Sequence, residues 1–455
     1  MKQRDAKNDR TRESKLGKLL ASIGKWMRVA IGAAACAGIV WWLSQWYGNR
    51  SASVTAADWI LLAAMGGGLV LLTVRGKLAT WIRQRALLVG FASLFGFAML
   101  ETYIRVFDPF PILLRGGRIS LPVNVQREFT TADLPGLDET ISVRCNSLGF
   151  RGQEPPTNWE DRFTMVCVGG STTQCLYLSE GTTWPDRLAA KLSQEFSDVW
   201  LNNAGIDGHS TFGHLELLEQ YLAPLRPKLI LFYIGLNDVD RGDLNASDLS
   251  TLRTESQADD SPMRKLQRSL LRSSDAFALL DNFRMQALAK GKGLTHGEPI
   301  AHRPLSSQHI EEPLSEQARA AWLASRDPAC LDGYKARVRK LVERCEELDI
   351  RCVLITQAVL YGDGVDDLTG IDLEGVRVGE IDGTAHWQLL QLYNRATMEV
   401  AEENKVPLIP LADNMPKSSR YFYDLTHLNI EGAEKAASLL YEELSPLLRE
   451  WDLAR

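Results

Sequence analysis

Two motifs that are far apart in the chain supply the three side chains that a nucleophilic mechanism needs. Ser171 lies in the motif GGST (169–172), and Asp424 and His427 lie in the motif DLTH (424–427). Serine is a weak nucleophile at neutral pH unless a base removes its proton, and imidazole does this well when a carboxylate fixes its tautomer. An aspartate and a histidine three residues apart on one turn can face the same pocket. These residue types therefore predict covalent catalysis at Ser171.

Each of these side chains also has a simpler interpretation when it is taken alone. A serine in Gly-Gly-Ser-Thr can cap the following helix or line a phosphate-binding nest. Asp424 can serve as the N-terminal cap of the last helix, and His427 can lie on the surface. Asn237, which is followed by an aspartate, is typical of a turn. The catalytic interpretation depends on all of these residues occurring together at the ends of predicted strands.

Strands and helices alternate along the part of the chain that contains these motifs. The apolar runs that predict strands are FTMVCVG (163–169), VWLNNAG (199–205), KLILFYIG (228–235), RCVLITQ (351–357) and VPLIPLA (406–412). This alternation is typical of an α/β fold with a mainly parallel sheet covered on both faces, and ligands bind such sheets outside the carboxyl ends of the strands. The candidate residues that follow strands, and that we expect at this one edge, are Ser171, Gly205, Asn237, Asp424 and His427.

The predicted catalytic domain spans residues 161–446, and two polar segments interrupt it. The first insertion covers about residues 240–330, and the second covers residues 359–383. Both break the rhythm of strands and helices, and we expect them to act as lids that shape access to the site. Residues 106–160 are rich in Pro, Gly, Asn and charged side chains and are predicted to form an irregular connector.

Three apolar segments near the N-terminus are each long enough to cross a bilayer as a helix. They are residues 29–47, 57–74 and 86–104. Nine Lys or Arg residues lie in the basic segment 1–28 and four lie between the second and third apolar segments, against Arg50 alone between the first and second. Basic segments stay in the cytoplasm, so the N-terminus is predicted to be cytoplasmic. After three crossings of the inner membrane, the catalytic domain is predicted to be periplasmic or extracellular.

Two of the three apolar segments have alternative interpretations. Asp58 and the glycines at 66–68 lower the apolarity of the second segment, which could instead be one arm of a buried hairpin. The first segment could be a cleaved signal peptide, but its long basic leader and the later apolar segments favour a three-helix anchor in residues 29–105.

Charge and cysteine spacing argue against other classes of function. The formal net charge of −6 and the isoelectric point near 5.8 argue against a nucleic-acid-binding protein. The chain has seven cysteines but no CxxC pair, so neither a metal site nor a cofactor is expected. Six cysteines follow the apolar segments, where an oxidising compartment would permit disulfides, but their spacing specifies no pairing.

Four sequence blocks, taken in order, resemble those of the SGNH hydrolases, also called the GDSL esterase and acylhydrolase superfamily. The blocks are VGGSTT with Ser171, NNAGIDG with Gly205, IGLND with Asn237, and YDLTHLN with Asp424 and His427. The resemblance covers roughly residues 145–446 and implies a three-layer α/β/α sandwich with a flavodoxin-like, mainly parallel sheet. Gly170 replaces the aspartate of the Gly-Asp-Ser block, and the segment NSLGFRG (146–152), which contains Arg151, resembles one that packs beside the sheet in some members.

The resemblance also implies a role for each candidate residue. Ser171 would attack an ester carbonyl, His427 would accept its proton and later donate it to the leaving alcohol, and Asp424 would orient His427. The oxyanion would be held by the backbone N–H groups of Ser171 and Gly205 and by the side-chain amide of Asn237.

These implications lead to one expected function and two alternatives. The expected function is that of a membrane-anchored extracytoplasmic serine esterase that hydrolyses acyl esters, with acetyl esters of saccharides or envelope polymers as the expected substrates. The first alternative is an O-acyltransferase that acts on an envelope polysaccharide with the same triad and works with a membrane partner protein. The second is a catalytically silent envelope-binding scaffold, in which Ser171 and His427 would fail to meet.

Overall fold

A computed structural model describes residues 77–107, 114–115, 118–131, 134–241, 269–291, 302–379 and 381–451. The chain divides into two compact units, residues 1–103 and residues 104–455. Of the first unit, the structure describes most of α1 (Lys77–Phe107), in which Gln84–Phe107 form a stretch of 24 residues with a mean hydropathy of 1.7. By length and composition this stretch could cross a bilayer, and it contains the third predicted span. The first two predicted spans lie outside the described residues.

A five-stranded, fully parallel sheet forms the centre of the second unit. Its strands, in spatial order, are β11 (Leu408–Ile409), β8 (Arg351–Ile355), β7 (Leu229–Tyr233), β5 (Phe163–Gly169) and β6 (Val199–Asn203). All five predicted strands form. β5 has the predicted bounds, and the other four end two or three residues before the apolar runs that predicted them. The prediction of an α/β fold with a mainly parallel sheet is confirmed.

The sheet is apolar on both faces because each face packs against helices. Along β5, Met165 and Cys167 face one buried cluster, whereas Val166 and Val168 face the other. All seven residues of this strand are buried, which is why its sequence is a continuous apolar run rather than an alternating one. The two clusters place helices above and below the sheet, in three layers.

The helices of the second unit begin at capping residues that their sequences supply. Thr183 and Asn429 accept hydrogen bonds from backbone N–H groups in the first turns of α3 (Trp184–Leu192) and α11 (Ile430–Glu450), and Asp382 does so for α9 (Gly383–Asn404). Helices α3 and α11 pack on one face of the sheet, and α4 (Thr211–Leu217), α8 (Pro328–Glu347) and α9 pack on the other. The α-helices are α2 (Ser171–Gln174), α3 (Trp184–Leu192), α4 (Thr211–Leu217), α5 (Ala223–Leu225), α6 (Asp275–Gly291), α7 (Glu316–Ala324), α8 (Pro328–Glu347), α9 (Gly383–Asn404), α10 (Leu411–Asn414) and α11 (Ile430–Glu450).

Within the part of the chain that the structure describes, three two-stranded antiparallel ribbons lie outside the central sheet. They pair β1 (Leu114–Arg115) with β2 (Arg118–Ile119), β3 (Gln126–Thr130) with β4 (Thr140–Arg144), and β9 (Arg377–Val378) with β10 (Ile381–Asp382). The connector predicted to be irregular over residues 106–160 therefore contains two of these ribbons. These strands are only two to five residues long, and the high content of Pro, Gly and Asn around them gave no strand signal in the sequence.

The two predicted insertions are joined to each other. The N–H of Glu311, in the first insertion, donates to the carbonyl of Gly375, in the second, at 3.0 Å. Arg319 also donates through Nε to Asp382 at 2.9 Å, and the Asp382 carboxylate is fully buried. Within the described residues, the insertions are thus one connected structure, which is consistent with a shared role in access to the site.

The six described cysteines are buried free thiols: Cys145, Cys167, Cys175, Cys330, Cys345 and Cys352. Burial raises the pKa of Cys175 to about 12, so this thiol stays protonated at neutral pH. These residues fill the core as small apolar side chains.

Arg151 lies beneath the segment that carries Ser171, where its side chain is only 4% exposed. Its guanidinium donates to the carbonyls of Gln174, Cys175 and Leu178 at 2.6 to 2.7 Å and pairs with Glu180 at 2.8 Å. The carbonyls at the end of a short helix have no partners within it, so this side chain satisfies groups that burial would otherwise leave unpaired. Arg151 thus supports the nucleophile helix from below, and its guanidinium is occupied by these contacts.

We expect Arg151→Met to lower the free energy of unfolding by about 2 to 4 kcal/mol, because it leaves buried carbonyls without donors. Urea denaturation followed by circular dichroism measures this loss. Arg162→Met is the matched control, since Arg162 pairs with Asp198 at the surface, with side-chain exposures of 35% and 56%, and such a pair contributes about 1 kcal/mol or less. Equal losses in the two variants would contradict the supporting role of Arg151.

Candidate active site

Ser171 lies at the turn between β5 and α2. β5 ends at Gly169, Gly170 is the N-cap of α2, and Ser171 is the first residue of that helix. The Gly170 carbonyl accepts hydrogen bonds from the N–H groups of Thr173 and Gln174 at 3.1 and 2.9 Å. The simpler interpretation of Ser171 as a helix cap does not apply, because the cap residue is Gly170 and Ser171 lies inside the helix.

Asp424 and His427 lie on one tight turn closed by a bridge between Phe422 and Leu428. Oδ1 of Asp424 accepts hydrogen bonds from the backbone N–H groups of Thr426, at 2.8 Å, and of His427, at 2.7 Å. These bonds fix the carboxylate to the backbone of the residue that it must orient. The final helix takes its N-cap from Asn429, so Asp424 does not have that role.

A continuous chain of hydrogen bonds links the three predicted catalytic side chains. Nε2 of His427 lies 2.8 Å from Oγ of Ser171, and Nδ1 of His427 lies 2.8 Å from Oδ2 of Asp424. Burial tends to raise the pKa of Asp424, but the charge of His427 and hydrogen bonds from two histidines and Thr426 outweigh it and hold this pKa well below its usual range. An ionised carboxylate only accepts hydrogen bonds, so Nδ1 of His427 carries the proton and Nε2 faces the serine hydroxyl.

Two of the predicted oxyanion-hole residues, Gly205 and Asn237, follow strands β6 and β7, whereas Ser171 lies in α2 itself. Asn237 lies in a short 3-10 helix (Leu236–Asp238), and its Nδ2 donates to the carbonyl of His209 at 3.0 Å. Gly205 approaches the backbone of α2 so closely that an added Cβ would lie 2.3 Å from the nitrogen of Gln174. The N–H of Gly205 donates to Oδ1 of Asn203 at 2.9 Å. A substrate oxyanion would therefore share this N–H with Asn203 or displace the amide oxygen.

Asp238 anchors the turn that carries Asn237. Its buried carboxylate accepts a hydrogen bond from the N–H of Thr211 at 3.0 Å and pairs with Arg337, on α8, at 3.3 Å. Because Asp238 is adjacent to Asn237, this pair fixes the backbone from which the Asn237 amide projects.

Gly170 makes room for the amide of Asn237. A Cβ added at position 170 would lie 2.3 Å from Nδ2 of Asn237 and 3.1 Å from the carbonyl of His209. A side chain is thus excluded beside the nucleophile as long as Asn237 keeps this position. This packing gives a physical reason for the departure from the Gly-Asp-Ser block.

We expect Gly170→Ala to lower kcat by about 10- to 100-fold by displacing the Asn237 amide, since loss of one oxyanion donor costs about 10²- to 10³-fold. Asn237→Ala should cost the larger amount. Steady-state kinetics of both variants and of the double variant measure the coupling. If the effect of Gly170→Ala is as large in the Asn237→Ala background as in the wild type, the clash with Asn237 is not its cause.

No sequence motif marks His302, which contacts the carboxylate of Asp424. Its Nδ1 lies 2.6 Å from Oδ2 of Asp424, the same oxygen that His427 contacts. His302 was one of three histidines in the predicted polar insertion and formed no recognisable spacing with another candidate. It lies 122 residues before Asp424, so only the folded path of the insertion brings the two side chains together.

Among the described residues, one group has the composition of a metal site, namely His302, Asp424 and His427, whose ligand atoms lie within 4.8 Å of one another. Two ligands that bind one zinc ion at about 2.0 Å are separated by about 3.3 Å at a tetrahedral angle. The Nδ1–Oδ2 separations of 2.6 and 2.8 Å are shorter than this and are those of hydrogen bonds. The group is therefore described better as a carboxylate shared by two imidazoles.

The comparison with protein families gives an independent assignment. The model of the GDSL-like lipase/acylhydrolase family matches residues 167–435, more than half of the chain and the segment from β5 into the final helix. The chain belongs to this family. The resemblance drawn from the four sequence blocks is therefore confirmed, and the chain is assigned to the ester-hydrolysing serine hydrolases.

Individual relatives of this GDSL-like protein are distant. Esterase TesA of Pseudomonas aeruginosa is 34% identical over 79 residues, which cover 17% of this chain and 39% of that protein. Among solved structures, the acetylxylan esterase Axe2 of Geobacillus stearothermophilus is 15% identical, and the match covers 62% of this chain and 93% of the Axe2 chain with a TM-score of 0.34. LAE5, an α/β hydrolase from the metagenome of Lake Arreo, is 14% identical, and the match covers 62% of this chain and 95% of the LAE5 chain with a TM-score of 0.35. The assignment rests on the family match.

Proposed function

We propose that this GDSL-like protein is a membrane-anchored serine esterase that acts outside the cytoplasm on acyl esters, with acetyl esters of saccharides or envelope polymers as its substrate class. The observation that carries the proposal is the hydrogen-bonded chain from Ser171 through His427 to Asp424, with both links at 2.8 Å. The substrate class follows from the proposed location and from family analogy.

Acylation would begin when Oγ of Ser171 attacks the ester carbonyl and Nε2 of His427 takes the hydroxyl proton. Negative charge would then develop on the carbonyl oxygen, and the N–H groups of Ser171 and Gly205 and the Asn237 amide would stabilise it, with the Gly205 N–H shared with or released from Asn203. The tetrahedral intermediate would collapse as His427 donates the proton to the leaving alcohol. An acyl-enzyme on Ser171 and a free alcohol result.

Deacylation would repeat these steps with water as the nucleophile. His427 would take a proton from water as its oxygen attacks the acyl carbon, and would return that proton to Oγ of Ser171 as the acid leaves. An O-acyltransferase would differ only in the acceptor, because a sugar hydroxyl would replace water. The two functions share one acyl-enzyme, so the acceptor decides between them.

The first test is labelling of the full-length, detergent-solubilised protein with a fluorophosphonate probe, which reports an activated serine without requiring the natural substrate. Labelling of the wild type, and none of Ser171→Ala, is expected. A folded wild-type protein that does not label would favour the silent scaffold. Release of acetate from acetylated xylo-oligosaccharides, measured with and without an added sugar acceptor, then separates hydrolysis from transfer.

The proposed anchor rests on the apolar stretch Gln84–Phe107 and on the distribution of basic residues in the sequence. Along this stretch the large apolar side chains are exposed, among them Phe91 at 71% and Leu94 at 72%, as expected for a lipid-facing helix. Fusion of alkaline phosphatase after residue 107 tests the topology, since this enzyme is active only outside the cytoplasm. An inactive but intact fusion would contradict the proposed extracytoplasmic location.

A further inference from the structure

One carboxylate oxygen of the proposed triad contacts two histidines. Oδ2 of Asp424 lies 2.8 Å from Nδ1 of His427 and 2.6 Å from Nδ1 of His302. The two imidazole rings are nearly perpendicular, at 84°, with their centroids 5.0 Å apart. The second histidine therefore approaches the carboxylate from its own direction and does not displace the first.

Proton positions at this oxygen follow from the chemistry of the carboxylate. Ionised Asp424 can only accept hydrogen bonds, so both histidines must carry a proton on Nδ1. The other oxygen, Oδ1, accepts from the backbone N–H groups of Thr426 and His427 at 2.8 and 2.7 Å. The carboxylate thus accepts four hydrogen bonds from N–H groups, and the Thr426 hydroxyl makes a longer one to Oδ1 at 3.4 Å, so the carboxylate has little freedom to rotate.

His302 has its own aromatic surroundings. Its ring makes edge contacts with Tyr177, at 4.7 Å between centroids, and with Tyr423, at 5.4 Å. Its side chain is 15% exposed, and Leu305 anchors the same segment in the apolar core. The insertion therefore holds His302 in place independently of its bond to Asp424.

The titratable groups that face His302 come from two other elements. Tyr423, Asp424 and His427 lie on the turn before α11, and Tyr177 lies on the loop after α2. Burial, together with the charges of Asp424 and Asp207, raises the pKa of Tyr423 well above its ordinary value, so this phenol stays neutral. Among these groups, the nearest charge to His302 is therefore the carboxylate of Asp424, at 2.6 Å.

We propose that His302 is a positioning residue that acts through Asp424, holding the carboxylate toward His427 and moderating how strongly it stabilises the protonated form of that base. The inference rests on the proposed function, because it assigns His302 a part in the same reaction. A donor on Oδ2 withdraws negative charge from the oxygen that faces His427. It also fixes the orientation of the carboxylate, on which the position of Nε2 depends.

The expected effect of removing His302 has two components. Loss of the donor removes one of the bonds that orient the carboxylate, so kcat should fall by about 10- to 100-fold, as for loss of a hydrogen bond to a charged group, while KM changes little. The freed oxygen also interacts more strongly with protonated His427, so the acidic limb of the kcat/KM profile should move to higher pH, by about half a unit or more. A residue that serves only the fold would not produce the second effect.

The test compares three variants of the full-length protein in the hydrolysis of p-nitrophenyl acetate. His302→Leu removes the donor, and His302→Asn places an amide nitrogen where Nδ1 lies. His302→Gln places its amide nitrogen further along, near the position of Nε2. The matched control is His309→Leu, because His309 is on the same segment but is 72% exposed and pairs with Glu311 at the surface.

The expected result is loss of kcat and a shifted pH profile in His302→Leu, recovery of most of kcat in His302→Asn, and no change in His309→Leu. Wild-type rates and a wild-type pH profile in a folded His302→Leu variant would overturn the inference. If thermal denaturation shows that His302→Leu does not fold, the activities of His302→Asn and His302→Gln test the inference instead. Equal activity in these two variants would overturn the inference.

The same experiment separates this inference from the proposed function. A wild-type protein that hydrolyses the ester and labels with a fluorophosphonate, but is indifferent to His302, refutes the inference alone. A wild-type protein that does neither refutes the proposed function and, with it, the assignment of His302. The rate of fluorophosphonate labelling as a function of pH provides a second readout that does not depend on deacylation.

Discussion

Replacement of Ser171 by alanine is expected to lower kcat for ester hydrolysis by about 10⁴-fold or more, because removal of the nucleophile or the base of a serine triad has effects of this order. His427→Ala should have an effect of similar size. The two residues act as a unit across the 2.8 Å separation of Oγ and Nε2. The double variant should therefore be about as active as either single variant, and far more active than the product of the two effects predicts.

Steady-state kinetics with p-nitrophenyl acetate, for both single variants and the double variant, measure this non-additivity. Ser193→Ala is the control, since the hydroxyl of Ser193 only donates to the carbonyl of Ala190 at the surface. KM should change little in any variant, because Ser171 and His427 act mainly on the transition state. Fully multiplicative effects would mean that Ser171 and His427 act in separate steps and do not form a relay.

The alternation of strands and helices along the sequence predicted the fold, because the strand sequences are unambiguous. β5 and β7 are buried on both faces and are therefore continuous apolar runs, and polar turns bound each of them. The rule that ligands bind at the carboxyl ends of parallel strands then placed Ser171 and Asn237 at one edge. Asp424 and His427 are three residues apart on one turn, so their proximity depends only on local sequence. The motif was therefore sufficient to predict that both side chains face the same pocket.

The remaining features of the site depend on how segments without periodic sequence fold over the sheet. The bond between His302 and Asp424 exists because the first insertion crosses the site, and no spacing in the chain reports that path. The contacts of Arg151 with backbone carbonyls likewise depend on the depth at which its segment lies. The clash that excludes a side chain at Gly170 is a property of the neighbouring loop, which positions Asn237. Sequence motifs thus predict the reacting groups, whereas tertiary packing determines the residues that hold them.

Replacement of Asp424 by asparagine is expected to lower kcat by about 10⁴-fold, because it disturbs the tautomer of His427. Asparagine has one oxygen where Asp424 has two, and this carboxylate accepts from four N–H donors and, at 3.4 Å, from the Thr426 hydroxyl. If its oxygen faces the backbone, its NH₂ group meets Nδ1 of His427, whose proton must then move to Nε2. A protonated Nε2 cannot accept the hydroxyl proton of Ser171. If the oxygen faces the histidines instead, the NH₂ group opposes two backbone N–H groups.

The same variant should change the dependence of stability on pH. The folded-state pKa of Asp424 is depressed below the ordinary value of 3.8, so its ionised form contributes stability that is present above that pH and is lost progressively as the pH falls below it. Asp424→Asn should therefore be less stable than the wild type at pH 7, and the difference should shrink below about pH 4. Urea denaturation at a series of pH values measures this difference, with Asp198→Asn, at an exposed ion pair, as the control. A difference that grew toward acidic pH would mean that the carboxylate is protonated in the folded protein, and it could then neither orient His427 nor accept from His302.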